Sequence, residues 1–372
     1  MISRGRELSY YTPEVQRSSY YVKEIRFYDK NGRVKNAIKI GEKGSEWIYI
    51  SPQKKYVLVS RVPTEYNTGY CGGVLYDCNG NKVWEKKGPT LIAVSDEGYT
   101  VGTILDWQVP PEPGGSFYIY TPSGKLIKTI ENPDKESSAP LFAKYSRDGE
   151  YALLVFKGTT VPPTIITLIK KTGEILWKRK FPECRFSGRE EEIDILPEVG
   201  IAGIFDKYER NSSNKEVRKY YAFFIDWEGN LRWMVPLEIR GNMIVKISDD
   251  GRKVYVVTTE GYIWCIDIKS GVLLWEHRES WSPKPGSREP WPWEVPLFCE
   301  LRVVRDTLYI IGKQGRDWHS STFFMFDGRS GRLLKKVEYP QEKITFAKVK
   351  EKISLINTVK GKVCIFKKEV QK

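Results

Sequence analysis

The chain has 372 residues, of which 40% are hydrophobic and 13% aromatic, ample for a packed core and incompatible with general disorder. Its formal charge of +13 favours acidic partners or surfaces and is silent on fold. No run approaches the roughly 20 apolar residues of a membrane span, and residues 1–21 lack the apolar stretch of a signal peptide.

A soluble cytoplasmic protein with no membrane partner is therefore expected. The charged residues, 29% of the chain, are rich in Lys, Arg and Glu, a thermophile-like surface composition. The six cysteines are Cys71, Cys78, Cys184, Cys265, Cys299 and Cys364, none in a C-x-x-C pair. Free buried thiols are the expectation, with a Cys71–Cys78 disulfide as the alternative.

In chain order, one hairpin pattern recurs at residues 27–38, 75–84, 119–130, 168–177, 224–233, 261–277 and 325–337. The clearest copy is GYIWCIDIKSGVLLWEH, an aromatic and β-branched strand, a polar turn with glycine, and a second strand. The turn glycines are Gly32, Gly80, Gly124, Gly173, Gly229, Gly271 and Gly331, spaced as expected of four-strand propeller blades with insertions. Four copies place a tryptophan four residues after the glycine: Trp84, Trp177, Trp233 and Trp275. Their fixed register predicts packing between blades. Trp47 and Trp227 are also expected to be structural.

A second kind of hairpin, often with an Asp-Gly type turn, precedes each next copy of the first. Clear examples are residues 90–105, 142–156 and 243–258; weaker ones begin at Glu46, Glu192, Leu301 and Phe346. The apolar period is two throughout and no useful helix is visible. Each pair of hairpins makes a four-stranded antiparallel meander, strands A to D. The expected fold is all-β, a single seven-bladed β-propeller spanning residues 23–372, with residues 1–22 as a tail or strap. N- and C-terminal strands, from about 23–40 and 344–368, would share the closing blade and leave no unpaired edge. Which of Glu24–Asp29 and Lys362–Lys368 takes its third place stays open.

The pattern aromatic-x-Asp-x-x-Gly-x-x-x-Trp resembles the repeat of the pyrroloquinoline-quinone-like propellers, a branch of the WD40-like group. The resemblance covers nearly the whole chain and implies a propeller. Quinone enzymes of that family commonly have eight blades, calcium and secretion. This chain shows no calcium-loop motif, no adjacent cysteine pair and no signal peptide, so no cofactor is expected. The GH and WD dipeptides of true WD40 repeats are also absent.

The long insertions fall almost entirely in B–C and D–A connections. The B–C loops are read as residues 62–72, 106–116, 157–164, 206–219 and 313–321, and the D–A insertions as 181–191 and 276–296. Loops on a rigid scaffold are where binding groups gather. Candidate binding residues are Trp107, Arg210, Trp281, Arg288, Trp291, Trp293, Trp318 and His319. Tryptophans on the proline-stiffened insertion 277–296 suit stacking on a ligand, although they also suit a local cap over the channel.

Catalytic signals are thin. Only His277 and His319 are present, which excludes a histidine-cluster metal site, and no hydrolase, zincin, Walker or dinucleotide motif appears. Asp106 and Asp317 are the best carboxylate pair for a glycosidase-like reading. The run Glu190–Glu192 reads as a solvated turn. Positive charge is dispersed over outer strands, where lysines guard blade edges, and also marks Arg185, Arg189, Arg210, Arg218 and Arg288 in the insertions. The expected function is a monomeric, non-enzymatic scaffold that binds a protein or another acidic ligand through its B–C/D–A loop face, without a metal. The alternatives are an enzyme or carbohydrate-binding protein with its site at the channel mouth, and a nucleic-acid-associated protein.

Overall fold

Alternating apolar residues bounded by Gly, Asp and Ser turns leave the backbone one economical option, antiparallel strands paired to their sequence neighbours. The computed structural model describes residues 2–4, 24–28, 34–39, 46–61, 71–104, 115–134, 138–158, 163–186, 190–210, 216–237, 242–279, 297–314, 320–339, 344–349, 352–357 and 363–365. These residues are all-β apart from one 3-10 turn at Glu190–Glu192.

The first sheet has three strands, β1 (Ile2–Arg4), β2 (Glu24–Tyr28) and β3 (Val34–Lys39). Three four-stranded meanders follow. They are β4 (Glu46–Ile50), β5 (Tyr56–Arg61), β6 (Gly72–Asp77) and β7 (Lys82–Lys87); β8 (Thr90–Val94), β9 (Thr100–Thr103), β10 (Ser116–Tyr120) and β11 (Leu126–Glu131); and β12 (Ser138–Tyr145), β13 (Tyr151–Gly158), β14 (Thr164–Lys170) and β15 (Ile175–Phe181). The next sheet contains β16 (Arg185–Phe186), β17 (Ile193–Leu196), β18 (Gly200–Arg210), β19 (Glu216–Asp226) and β20 (Leu231–Leu237), with both β16 and β17 paired to β18.

Two more meanders are β21 (Met243–Ile247) to β22 (Lys253–Thr258), β23 (Tyr262–Asp267) and β24 (Leu273–Arg278), then β25 (Leu297–Val304) to β26 (Thr307–Gln314), β27 (Ser320–Asp327) and β28 (Leu333–Tyr339). The last sheet has β29 (Ile344–Val349), β30 (Lys352–Asn357) and β31 (Val363–Ile365). All seven A–B and all seven C–D hairpins read from the sequence are present. Val363–Ile365 pairs with β30, and β2 lies between β1 and β3, so the two candidate strands belong to separate sheets.

By contact the chain divides into two compact units. One comprises Met1–Glu190, Ile195–Tyr221 and Ile225–Leu231; the other comprises Glu191–Asp194, Ala222–Phe224 and Arg232–Lys372. Each has its own core between sheets, for example Phe117, Phe156 and Ile165 in the first and Tyr255, Phe298 and Phe324 in the second.

Turn chemistry explains the repeat. In C–D turns an aspartate carboxylate accepts backbone N–H groups ahead of it: Asp77 from Asn79 and Asn81, Asp226 from Asn230, Asp267 from Ser270 and Asp327 from Arg329. In four A–B turns a serine does the equivalent work, Ser51, Ser95, Ser146 and Ser248 accepting from Tyr56, Tyr99, Tyr151 and Lys253. Such side-chain caps replace backbone partners that a tight turn cannot supply.

The expected inter-blade tryptophans sit on the C–D turn of the following sheet. Trp177 Nε1 donates to the Trp227 carbonyl at 2.9 Å, Trp233 to Ile268 at 2.7 Å and Trp275 to Gly328 at 3.2 Å. The turn must be glycine for two reasons at Gly229. Its φ is +84°, and a Cβ there would lie 2.7 Å from the Trp177 ring. Where tryptophan is missing, Asn36 uses its amide instead, donating to the Gly80 carbonyl at 3.0 Å. Trp84 covers Gly124 in the same way, but its buried Nε1 has no acceptor among the described residues.

Two expectations are corrected. Glu192 is buried, not solvated, because the chain turns inward into β17 at that point. Cys71 and Cys78 are both free, so the disulfide alternative is not formed; Cys184, Cys265 and Cys299 are free as well.

Candidate functional site: the long β18–β19 hairpin

In an antiparallel meander the A–B and C–D turns lie at one end of the sheet and the B–C and D–A connections at the other. At this second end, β18 and β19 depart from their siblings. Each has 11 residues, against four to eight in strands such as β9, β5, β14 and β27. At about 3.4 Å per residue, three extra residues carry the pair roughly 10 Å further. The span 206–219, read from sequence as a loop, is therefore mostly strand. Only residues 211–215 separate β18 from β19.

Alternation along the strands sorts the side chains onto two faces. On one face, Lys207 and Lys219 meet Glu183 and Glu209, at 3.4 Å and 2.7 Å. The Tyr221 hydroxyl also donates to Glu209. That hydrogen bond, then burial, then the charge of Glu209 push the tyrosine pKa to about 12. Lys219 and Tyr221 together hold the Glu209 carboxyl below its usual range. Two cations face two carboxylates here, so this face is balanced.

The other face is not balanced. Asp206 is fully buried at its side chain, and Arg218 Nε donates to its Oδ2 at 2.5 Å. Arg185, directly opposite Asp206 in register on β16, donates Nη1 to the Tyr208 hydroxyl at 3.3 Å. The Tyr220 ring lies 5.0 Å from the Arg218 guanidinium carbon. Burial opposes the charge of Arg218, but the hydrogen bond and attraction from Asp206 outweigh it and raise its pKa. Two guanidiniums and one carboxylate leave a net charge of one, beside Tyr208, which is 45% exposed.

Arg210 closes β18, and its side chain lies outside the described residues. Trp107, Trp281, Arg288, Trp291, Trp293, Trp318 and His319 lie outside them too, as do Asp106, Asp317 and Arg189. The residues gathered at the hairpin are therefore Arg185 and Arg218, named in the sequence reading only as insertion charges, with Asp206, Tyr208 and Tyr220. The signal available was the matched spacing Asp206-x-Tyr208 and Arg218-x-Tyr220, an alternation of polar and aromatic residues. Among the described residues no cluster of three or more His, Cys, Asp or Glu side chains is placed to hold a metal ion.

No family profile matches the chain, and no curated protein matches it by sequence. Solved structures do. BamB from Moraxella catarrhalis aligns over 94% of this chain and 90% of its own, with a TM-score of 0.56 and 11% identity. KlAtg21, in its complex with the coiled coil of AgAtg16, aligns over 84% of this chain and 90% of its own, with a TM-score of 0.51 and 12% identity. Both are β-propellers. At such low identity the likeness concerns architecture alone, and the architecture is that of a β-propeller.

Proposed function

We propose that the chain is a non-enzymatic, cytoplasmic propeller scaffold that holds a protein or another acidic ligand through its B–C/D–A loop end. The observation that carries this reading is the unequal charge of the two faces of the β18–β19 hairpin. One face is internally neutralised, whereas the Arg185–Asp206–Arg218 face keeps a positive charge next to exposed Tyr208. Arg and Tyr are the residues that most often anchor interfaces. The similarly folded KlAtg21 is seen with a coiled coil, which supports a polypeptide partner here.

Seven blades are part of the proposal. The described sheets hold seven A–B hairpins and seven C–D hairpins, and a four-stranded blade takes one of each. A crystallographic blade count tests this: seven supports it, and eight contradicts it.

The functional reading is tested by affinity isolation from native extract. The intact chain is compared with one that carries Asp206→Asn, so that no buried carboxylate is left without its partner, and in which residues 208–218 are replaced by Asn-Gly, a natural two-residue hairpin turn. Loss of the captured partner with an unchanged unfolding midpoint supports the loop-end reading. Undiminished capture contradicts it.

A further inference from the structure

A guanidinium carries five N–H donors arranged along two usable edges, one through Nε and one joining Nη1 to Nη2. Arg218 spends Nε on Asp206 Oδ2, and no described residue accepts from its Nη1 or Nη2. The carboxylate is wholly buried while the arginine side chain is 39% exposed, so Asp206 anchors the guanidinium from beneath and leaves the distal edge toward solvent. Arg185 reinforces the same spot from the neighbouring strand. Its one described hydrogen bond is from Nη1 to the Tyr208 hydroxyl, which leaves that hydroxyl's own proton to donate outward.

A second observation supports a holding role for Asp206. Its Oδ1 is buried and receives no hydrogen bond among the described residues. Arg218 is thus the carboxylate's one described charge partner, and the pairing fixes the arginine in place.

We propose that the Nη1–Nη2 edge of Arg218, with Arg185 and Tyr208, is a receptor for the carboxylate of an aspartate or glutamate on an acidic protein segment. This deepens the loop-end reading and rests on it. A planar carboxylate matches two parallel N–H groups, giving a bidentate charge-assisted pair. The rings of Tyr208 and Tyr220 border the site and suit the apolar stem of the incoming side chain. A phosphate carries about −1.5 to −2, more than the single net charge of this face neutralises. A nucleic acid needs a track of cations, whereas Lys207 and Lys219 are committed to Glu183 and Glu209 on the opposite face.

The test is calorimetric titration of the full chain with a blocked hexaglutamate peptide, with inorganic phosphate and oligo-dT as comparators. Arg218→Lys keeps the charge but removes the fork, and should weaken hexaglutamate binding by about tenfold, one good charge-assisted contact. Arg185→Ala, which does not touch the Asp206 pair, should also weaken it. Lys219→Ala, on the balanced face, should change it by no more than about twofold. Unfolding midpoints of all three confirm that folded protein is compared.

Wild-type affinity in Arg218→Lys overturns the proposal, as does tighter binding of phosphate or oligo-dT than of hexaglutamate, or no hexaglutamate binding to the intact chain. The proposal and the broader reading fail separately. If the Asn-Gly hairpin variant loses its native partner while Arg218→Lys retains it, the carboxylate receptor is wrong and the loop-end interface stands.

Discussion

The two ends of the meanders solve opposite problems. At the turn end the same parts recur: an aspartate or serine closes the turn, and a tryptophan or its substitute seals it from the preceding sheet. The turn carboxylates and serines there accept from their own turn's backbone. At the loop end the β18–β19 hairpin has two strands longer than the rest, a guanidinium edge with no described acceptor, and an exposed tyrosine. Repetition marks architecture, and the break in repetition marks the place proposed to hold a ligand.

The largest effect that sharpens this contrast is expected from Trp177→Ala. The side chain is 8% exposed and closes both an apolar seam and a hydrogen bond, so its loss should cost about 3 to 5 kcal/mol in urea unfolding. Hexaglutamate affinity of the folded fraction should not change. A loss of affinity at constant stability would break the division between the two ends.

Arg218→Ala comes next, because it strips a buried carboxylate of its partner. Removing one member of a fully buried pair costs about 3 to 5 kcal/mol, and water around the partly exposed arginine should reduce this to about 2 to 3. Asp206→Asn in the same background should restore most of the stability, because it removes the charge that Arg218 no longer meets. A double variant no more stable than Arg218→Ala alone contradicts the role assigned to Asp206.

A finer comparison lies within the turn end itself. Trp177→Phe removes an Nε1 donor that has an acceptor and should cost about 1 kcal/mol beyond the lost ring area. Trp84→Phe removes a buried donor with no acceptor among the described residues, and should be neutral by that measure or better. Equal hydrogen-bond losses at the two seams would show that Trp84 is satisfied in solution.

The smallest effect concerns alkaline pH. The Tyr221 pKa stands at about 12 in the folded chain, above the ordinary value of about 10. Its contribution is therefore complete below about pH 10 and is lost as pH rises through about 12. Tyr221→Phe should soften the alkaline fall in unfolding midpoint, and an unchanged slope would argue against the Glu209 hydrogen bond.

The hairpin architecture was legible because period-two apolar runs and Gly turns are dictated locally, as Gly229 and Gly271 show by meeting Trp177 and Trp233. The length of β18 and β19 was not legible. Beyond Phe205 and before Ala222 the strands alternate charges with tyrosines and have no apolar face to give them away, so cross-strand pairs such as Arg218–Asp206 and Lys219–Glu209 do the ordering. Serines at the A–B turns went unread because their role is a hydrogen bond to an N–H four or five residues on, which no composition signal reveals. Arg218 and Arg185 were visible only as charges. Which arginine edge remains open depends on the partner below it, Asp206, and that pairing exists only once β16, β18 and β19 are side by side.

Hydrogen exchange of the full chain with and without saturating hexaglutamate tests the central claim most directly, that ligand is held at the loop end while the turn end serves architecture alone. Slower exchange confined to amides of residues 204–221, with C–D turn amides unchanged, is the predicted result. Protection at the C–D turns without protection of the hairpin would contradict it.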